Sequence, residues 1–190
     1  MRLTITTTHL IMNSPDELQP RLLEHPDLAT QLIDPPNPHL NHAFFMEVGT
    51  PYYWFSRLDW DLERWQRYLS DPSVKTWIGL SNGVPYGYFE LQSRDGVTEI
   101  MFFGLLPTHT GRGLGGHLLT RAVERAWSIP GTNQVYVHTC NADHPGALSN
   151  YVARGFTVDR EDTKEKELPE NYPPICSSPS YYRSLRQTIG

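Results

Sequence analysis

The chain has 190 residues, of which 38% are hydrophobic and 19% are charged, a composition typical of a globular domain rather than of a disordered or fibrous chain. Its 16 Lys and Arg against 21 Asp and Glu give a formal charge of -5, and the scattered basic residues argue against binding of nucleic acid through its phosphates. No uncharged apolar run approaches the roughly 18 residues of a membrane span, and two cysteines without a signal peptide are typical of reduced thiols, so we expect a cytoplasmic protein.

The first 70 residues contain one predicted helix. Residues 1–40 combine a Thr-rich start with short Leu-bearing stretches and reach Asp34-Pro-Pro-Asn-Pro38, a sequence that ends any helix before it. Nine of the 22 aromatic residues follow between Phe44 and Tyr68. Within this segment, apolar residues at helical spacing and a Ser56–Asp59 capping pair predict a helix over about 57–69.

Three β-rich runs come next, at Lys75–Leu80, Val84–Gln92 and Val97–Leu105, and the turns between them contain Asn-Gly and Asp-Gly. They predict an antiparallel meander. The later elements are a helix at Gly113–Trp127, a strand at Gln134–Cys140, a short helix at Pro145–Arg154 and a strand at Phe156–Arg160. This order predicts an α/β fold with a mixed sheet. Beyond Glu161 the chain is charged and then rich in Pro and Ser, which predicts a mobile excursion before Tyr181–Arg186.

A glycine-rich turn joins the meander to the following helix, with four glycines in six residues at positions 111, 113, 115 and 116. Backbone N–H groups at such a helix start, unhindered by Cβ atoms, can bind a phosphate. The glycines could instead serve only a tight turn. They also fit G-x-G-x-x-G, the fingerprint of a dinucleotide-binding oxidoreductase, but that fold requires a parallel β-α-β unit and this turn follows an antiparallel meander.

Two motifs in this half of the chain resemble the GNAT superfamily of acetyl-CoA-dependent N-acetyltransferases. Leu105-Leu-Pro107 and Thr110-Gly-Arg-Gly-Leu-Gly115 are similar to the family's Gln/Arg-x-x-Gly-x-Gly/Ala signature after a strand. Ala147-Leu-Ser-Asn-Tyr-Val-Ala-Arg-Gly-Phe156 matches its Ala-x-x-x-Tyr-x-x-x-Gly-Phe. The resemblance implies a mixed, mostly antiparallel sheet flanked by helices in a single domain over 1–190. The expected parts of this domain are an acceptor-side segment at 1–74, a coenzyme-binding core at 75–160 and a Pro/Ser-rich C-terminal extension at 161–190.

The resemblance implies acetyl-CoA as co-substrate. Backbone amides from Arg112 to Gly116 would hold its pyrophosphate, and the strand ending at Leu105-Leu106 would pair with the pantetheine and polarise the thioester carbonyl. The implied coenzyme-binding residues are Leu105, Leu106, Arg112, Gly113, Leu114, Gly115, Gly116 and His144. Two residues depart from the family pattern, because Thr110 replaces a Gln or Arg and His144 stands where many members have Asn.

The expected catalytic residues are Tyr151, Glu99 and Glu90. By the resemblance, Tyr151 would be the general acid that protonates the coenzyme thiolate, although it could instead be a core aromatic. Glu99 precedes an apolar run that would partly desolvate it, and it is similar to the general base of the histone-acetyltransferase branch; it could equally be a solvated carboxylate at a hairpin end. Glu90, acting through water, is the reserve candidate.

The aromatic segment maps, by the resemblance, to the roof of the acceptor pocket, where we expect Tyr52, Tyr53 and Trp54 to bind substrate. The acceptor is then an amine of a small molecule or peptide, and the protein a monomer or homodimer without nucleic-acid or membrane partners. The rival interpretation is a degenerate member that binds coenzyme A without turnover. His138, Cys140 and His144 suggest a metal site only weakly, because a fourth ligand is missing, and we expect no metal.

Overall fold

The computed structural model describes residues 2–167, in which seven strands form one sheet of order β2-β3-β4-β5-β6-β1-β7. The strands are β1 Arg2–Met12, β2 Leu28–Leu32, β3 Val74–Ser81, β4 Val84–Arg94, β5 Val97–Leu105, β6 Gln134–Cys140 and β7 Thr157–Glu167. The α-helices are α1 Pro38–Gly49, α2 Leu62–Leu69, α3 Leu114–Trp127 and α4 Ala147–Ala153. All neighbouring strands are antiparallel except β5 and β6, which confirms the mixed, mostly antiparallel α/β sheet.

The meander β3-β4-β5, helix α3 and strand β6 lie where the sequence predicts them. The helix predicted over 57–69 begins later, at Leu62. Asp61 caps it, because its Oδ1 accepts a hydrogen bond of 2.8 Å from the backbone N–H of Arg64. Ser56 therefore does not start the helix, and the chain from 57 to 61 forms turns.

Strands β1 and β2 and helix α1, all within the first 50 residues, escaped prediction. Helix α1 starts at Pro38, which the sequence analysis interpreted as the last residue of a helix-breaking run. Asn37 caps this helix, because its Oδ1 accepts a hydrogen bond of 3.1 Å from the backbone N–H of Leu40. Strand β1 is the Thr-rich start of the chain, and it lies inside the sheet between β6 and β7.

The mobile excursion expected after Glu161 is wrong for its first residues. Residues 161–167 belong to β7, which pairs with β1 along its length, from Ile11↔Thr157 to Arg2↔Glu167. The long unpaired edge of β1 supplies the hydrogen-bond partners that a charged segment lacks on its own. The rest of the extension, including Tyr181–Arg186, lies outside the described residues.

Helices cover both faces of the sheet. Helix α3 packs a fully buried row against one face, comprising Leu118, Leu119, Ala122, Val123 and Ala126. Burial of each large apolar side chain contributes roughly 1.5–3 kcal/mol. On the other face α1 covers the meander, where Phe44 stacks on Tyr88 with ring centroids 5.0 Å apart.

Strands β5 and β6 separate soon after they meet. They pair in parallel only from Val97↔Gln134 to Glu99↔Tyr136, after which β6 continues against β1. β5 runs on to Leu105 with its other edge held by β4. The divergence leaves a V-shaped cleft between two parallel strands, and Glu99 and Tyr136 form its closed end.

Candidate active site

A cavity of about 600 Å³ occupies the cleft between β5 and β6, a size typical of small-molecule sites. Its walls come from the second half of β5, the glycine-rich turn, the start of α4 and the aromatic segment after α1. Residues of β6 and β1 complete the lining, among them His138, Cys140 and Thr7. The cavity therefore joins the predicted coenzyme side to the predicted acceptor side.

The glycine-rich turn leaves open space in front of the first turn of α3. Gly113 precedes the helix with φ of 77°. The first N–H groups of α3 have no intrahelical partners, and within residues 2–167 no side chain caps them. A Cβ on Gly111 would meet nothing within 4 Å, and on Gly115 the nearest atom would be 3.7 Å away. This uncapped, unobstructed helix start fits an anionic phosphate group.

Gly116 has a different reason to be glycine. A Cβ there would lie 2.7 Å from Arg154 Nη1 and 2.8 Å from Arg21 Cδ, so the two arginine side chains fill the space that a larger residue needs. The absence of a side chain at Gly116 thus permits arginine packing beside the turn rather than direct approach of a ligand.

Arg21 is a site residue that the sequence analysis missed. It follows β1, lines the cavity and places Nη2 3.8 Å from the position of a Cβ on Gly113. Its backbone N–H donates to Thr120 Oγ1 at 2.9 Å, which fixes the segment against α3. Because Arg21 and Gly113 are far apart in sequence, no local pattern could have joined them.

The neighbouring residue Arg154 is 8% exposed, and its guanidinium shares this region with Arg21. Burial, and then the positive charge of Arg21, lowers the pKa of Arg154. Within residues 2–167 neither arginine forms an ion pair with a carboxylate. Two adjacent cations without a counterion favour a bound anion at this end of the cavity.

Tyr151 lies on α4 and lines the cavity, with 6% of its surface exposed. Its ring packs edge-on against Phe103 and Phe156, with centroids 6.1 and 6.0 Å away. Burial, and then the negative charge of Asp143, raises the pKa of the Tyr151 hydroxyl well above its usual range, so the phenol is neutral at physiological pH. No residue of the described chain hydrogen-bonds to this hydroxyl.

Glu90 is 1% exposed and lies outside the cavity lining. It accepts hydrogen bonds from both terminal nitrogens of Arg57, at 2.9 and 3.2 Å, from Tyr68 at 2.7 Å and from Asn41 at 3.2 Å. These donors occupy the carboxylate from several sides. The arrangement suits an internal brace between β4 and the segment around α2.

Glu99 also lies outside the lining, at the closed end of the cleft. Its Oε1 is 3.3 Å from Nδ1 of His138, and His138 does line the cavity. The carboxylate is therefore connected to the cavity through an imidazole.

The aromatic roof is present, because Tyr52, Tyr53 and Trp54 all line the cavity. Trp54 Nε1 donates to Asp143 Oδ1 at 3.2 Å. Asp143 Oδ2 accepts from Thr139 Oγ1 at 2.7 Å. Asp143, which the sequence analysis missed, thereby fixes the roof to the loop between β6 and α4.

The implied coenzyme-binding residues divide into two groups. Those that line the cavity are Leu105, Gly113, Gly115, Gly116 and His144. The side chains of Leu106 and Leu114 are buried in hydrophobic clusters, and Arg112 is exposed outside the lining. At 106 and 114 only the backbone stays a candidate for contact with a ligand.

Two other properties concern the described residues 2–167. No group of three His, Cys, Asp or Glu side chains there is arranged to hold a metal ion. None of the helices in this range combines the length and apolar character needed to cross a membrane.

Comparison with known proteins gives a family match. Residues 39–156 match the sequence model of the acetyltransferase (GNAT) family. No curated protein matches the chain.

Among solved structures, a GCN5-related N-acetyltransferase from Kribbella flavida is similar over 90% of this chain and 61% of its own, with 16% identity and a TM-score of 0.63. One from Sphaerobacter thermophilus is similar over 86% and 52%, with 18% identity and a TM-score of 0.65. Spermidine N-acetyltransferase from Vibrio cholerae, in complex with CoA and spermine, is similar over 74% and 94%, with 17% identity and a TM-score of 0.57. The chain thus spans about half to three fifths of the first two proteins, and these identities support a common fold.

Proposed function

The chain belongs to the acetyltransferase (GNAT) family, and we propose that it transfers an acetyl group from acetyl-CoA to an amine of a small molecule or peptide by direct attack. The observation that carries the proposal is one cavity that holds both an uncapped glycine-rich helix start and a neutral tyrosine hydroxyl without a partner in the described chain. A phosphate-bearing thioester and a proton donor for its sulfur fit these two features.

Coenzyme phosphates fit the end of the cavity near Gly113. The N–H groups of the first turn of α3 supply aligned donors, and Arg21 supplies a cation where the motif position Thr110 supplies none. The pantetheine arm suits the cleft, because the edge of β5 beyond Glu99 is not paired with β6 and its backbone groups face the cavity.

Acetyl transfer needs a neutral amine, a donor for the oxyanion and a proton for the departing thiolate. A backbone N–H on the free edge of β5 is suited to polarise the thioester carbonyl. Tyr151 is suited to protonate the thiolate, since burial keeps its phenol protonated. Glu99 is assigned to deprotonation of the amine, because its carboxylate contacts His138 in the cavity wall. Glu90 is assigned to bracing Arg57 rather than to proton transfer through water, because its donors already occupy it.

The acceptor is placed under the aromatic roof formed by Tyr52, Tyr53 and Trp54. Rings at this position offer apolar surface and, toward a protonated amine before attack, a cation–π contact. A fold neighbour is a spermidine N-acetyltransferase, so a polyamine belongs in any test of acceptors.

The test is acetyl-CoA turnover across a panel containing a polyamine, an aminoglycoside, an amino acid and a peptide with a free N-terminus. Thiol release is followed, and the acetylated product is identified by mass spectrometry. Amine-dependent thiol release with an acetylated amine supports the proposal. Coenzyme binding without product from any amine supports a coenzyme A-binding module, and tighter binding of NAD than of coenzyme A contradicts both.

A further inference from the structure

One histidine in the cavity wall has a ring nitrogen without a hydrogen-bond partner in residues 2–167 and a carboxylate behind it. Val135 and Val137 of β6 are buried under α3, so alternation along the strand places Tyr136 and His138 on the opposite face. Tyr136 makes the last pair with Glu99 before the strands diverge. His138, two residues further, is therefore the first residue of β6 on that face inside the cleft.

In the Glu99–His138 pair, the histidine is the residue that lines the cavity. Glu99 Oε1 lies 3.3 Å from His138 Nδ1, and the side chains are 28% and 44% exposed. An ionised carboxylate at this position favours the proton on Nδ1, which leaves the lone pair on Nε2. No group in the described chain hydrogen-bonds to Nε2. His138 lines the cavity and Glu99 does not, so a ligand meets the imidazole first.

A second histidine–carboxylate pair on the same sheet shows the contrast. His9 Nε2 lies 2.6 Å from Asp162 Oδ2, but His9 Nδ1 is hydrogen-bonded to the hydroxyl of Tyr136. Both nitrogens of His9 are occupied, and His9 does not line the cavity. Of these two pairs, only the one at His138 has a histidine that lines the cavity and a ring nitrogen without a hydrogen-bond partner in the described chain.

We propose that His138 takes the proton from the acceptor ammonium and that Glu99 is the positioning residue that orients it. This inference rests on the proposed acetyl transfer and assigns Glu99 an indirect part in it. Sequence reasoning found Glu99 by its place before the glycine-rich turn, but considered His138 only as a weak metal ligand or a half-buried strand residue.

The proton balance follows from this assignment. His138 Nε2 accepts one proton from the ammonium, and the neutral nitrogen forms a bond to the thioester carbon. The carbon–sulfur bond then breaks, and the thiolate takes the proton of Tyr151. The excess proton of the new amide nitrogen returns to the Tyr151 phenolate, and the proton on His138 leaves to solvent. One proton is released per amide formed.

The experiment compares His138→Asn with wild type on an amine that the wild type acetylates. Asn keeps a polar group near Glu99 but cannot take a proton. We expect kcat/KM at neutral pH to fall by about 10²- to 10⁴-fold, the usual range for a lost general base, with unchanged affinity for coenzyme A. His25→Asn is the control, because His25 also lies near a carboxylate, 3.7 Å from Asp27, but away from the cavity.

The pH profile separates catalysis from packing. The titratable groups next to His138 are Glu99 on β5, His9 on β1 and Tyr136 on β6, and Cys140 and Lys166 line the same cavity. In His138→Asn, kcat/KM should follow only the fraction of free amine as pH rises, whereas the wild-type profile should differ from it in shape. An unchanged rate and an unchanged profile in His138→Asn overturn the assignment.

A double-variant cycle tests the indirect part of Glu99. Glu99→Gln should lower kcat/KM in wild type and have little further effect when His138 is already Asn. Equal losses in the two backgrounds overturn the positioning of His138 by Glu99. If wild type acetylates no amine, the proposed function fails and this assignment fails with it. If wild type acetylates an amine and the variants do so at the same rate, the function stands and only the assignment is wrong.

Discussion

The indole N–H of Trp54 donates to Asp143 at 3.2 Å and joins the aromatic segment after α1 to the loop between β6 and α4. Trp54 also packs on Phe102 of β5, with ring centroids 4.9 Å apart. The roof of the cavity is thus attached to both arms of the cleft.

Replacement of Trp54 by Phe should loosen this roof. It keeps an aromatic ring but removes a hydrogen bond to a carboxylate, an interaction that contributes about 1.5–3 kcal/mol. We expect KM for the acceptor to rise while the Kd for coenzyme A stays near wild type, measured by steady-state kinetics and calorimetry. A rise in the coenzyme Kd with an unchanged acceptor KM would contradict the assignment of Trp54 to the acceptor side.

Gly115 offers the cleanest test of the phosphate cradle. A Cβ at Gly115 has space, so Gly115→Val should leave the melting temperature close to wild type but place methyl groups where the phosphate would lie. We expect the Kd for coenzyme A to rise by at least about 10-fold, since each 1.4 kcal/mol of lost affinity is a factor of ten. Gly113 is a poorer choice because its φ of 77° strains any other residue.

Gly116→Ala is the matched comparison to Gly115→Val. Its methyl group would meet Arg154 and Arg21 at less than 3 Å, so thermal stability should fall, and any loss of coenzyme affinity should come through displacement of Arg21. If Gly115→Val binds coenzyme A as tightly as wild type, the glycine-rich turn is not the phosphate site.

Arg21→Gln should weaken coenzyme binding without impairing the chemical step. The loss of one charged donor to a phosphate is expected to raise the Kd by roughly 10- to 100-fold and to reduce its dependence on salt. At saturating acetyl-CoA, kcat should be unchanged. Arg67→Gln is the control, because Arg67 is an exposed residue paired with Glu63 outside the cavity.

Dephospho-coenzyme A tests which phosphate Arg21 would contact. An equal loss of affinity for this analogue in Arg21→Gln would place the contact at the pyrophosphate. Loss confined to the full coenzyme would place it at the 3′-phosphate. Unchanged affinity for both ligands would remove Arg21 from the site.

Much of the coenzyme side could be predicted from local sequence. Strands β3 to β5 carry alternating patterns between Asn-Gly and Asp-Gly turns, and α3 carries a helical apolar face, so these elements are encoded within short windows. The glycine-rich turn and Tyr151 stand in recognisable motifs. The structure brings both to the cavity where the motifs imply a common site.

The missed parts depend on pairing between distant segments. β1 has a weak pattern of its own and becomes a strand because β6 and β7 hydrogen-bond to both of its edges. Arg21 and Asp143 enter the site only through tertiary contacts, with Thr120 and Trp54 respectively. Helix α1 was missed because Pro38 was interpreted as an end, although proline at the first helical position is common.

Tyr86 provides a stability prediction outside the proposed chemistry. Its hydroxyl is buried without a partner in the described chain, and burial raises its pKa to about 12. The native state therefore retains a proton that the unfolded chain loses above about pH 10, so stability should fall between pH 10 and 12. Tyr86→Phe should raise the melting temperature at neutral pH and reduce the alkaline loss; a lower melting temperature at neutral pH would contradict this account.

The most direct measurement of the central claim is kcat and melting temperature for Tyr151→Phe and wild type, prepared in parallel and assayed at saturating acetyl-CoA on the same amine. The hydroxyl makes no hydrogen bond within residues 2–167, so its removal should leave the melting temperature and the coenzyme Kd near wild type. Loss of the proton for the thiolate should lower kcat by about 10²-fold. A Tyr151→Phe variant that forms acetylated amine at the wild-type rate would contradict acetyl transfer with Tyr151 as the acid.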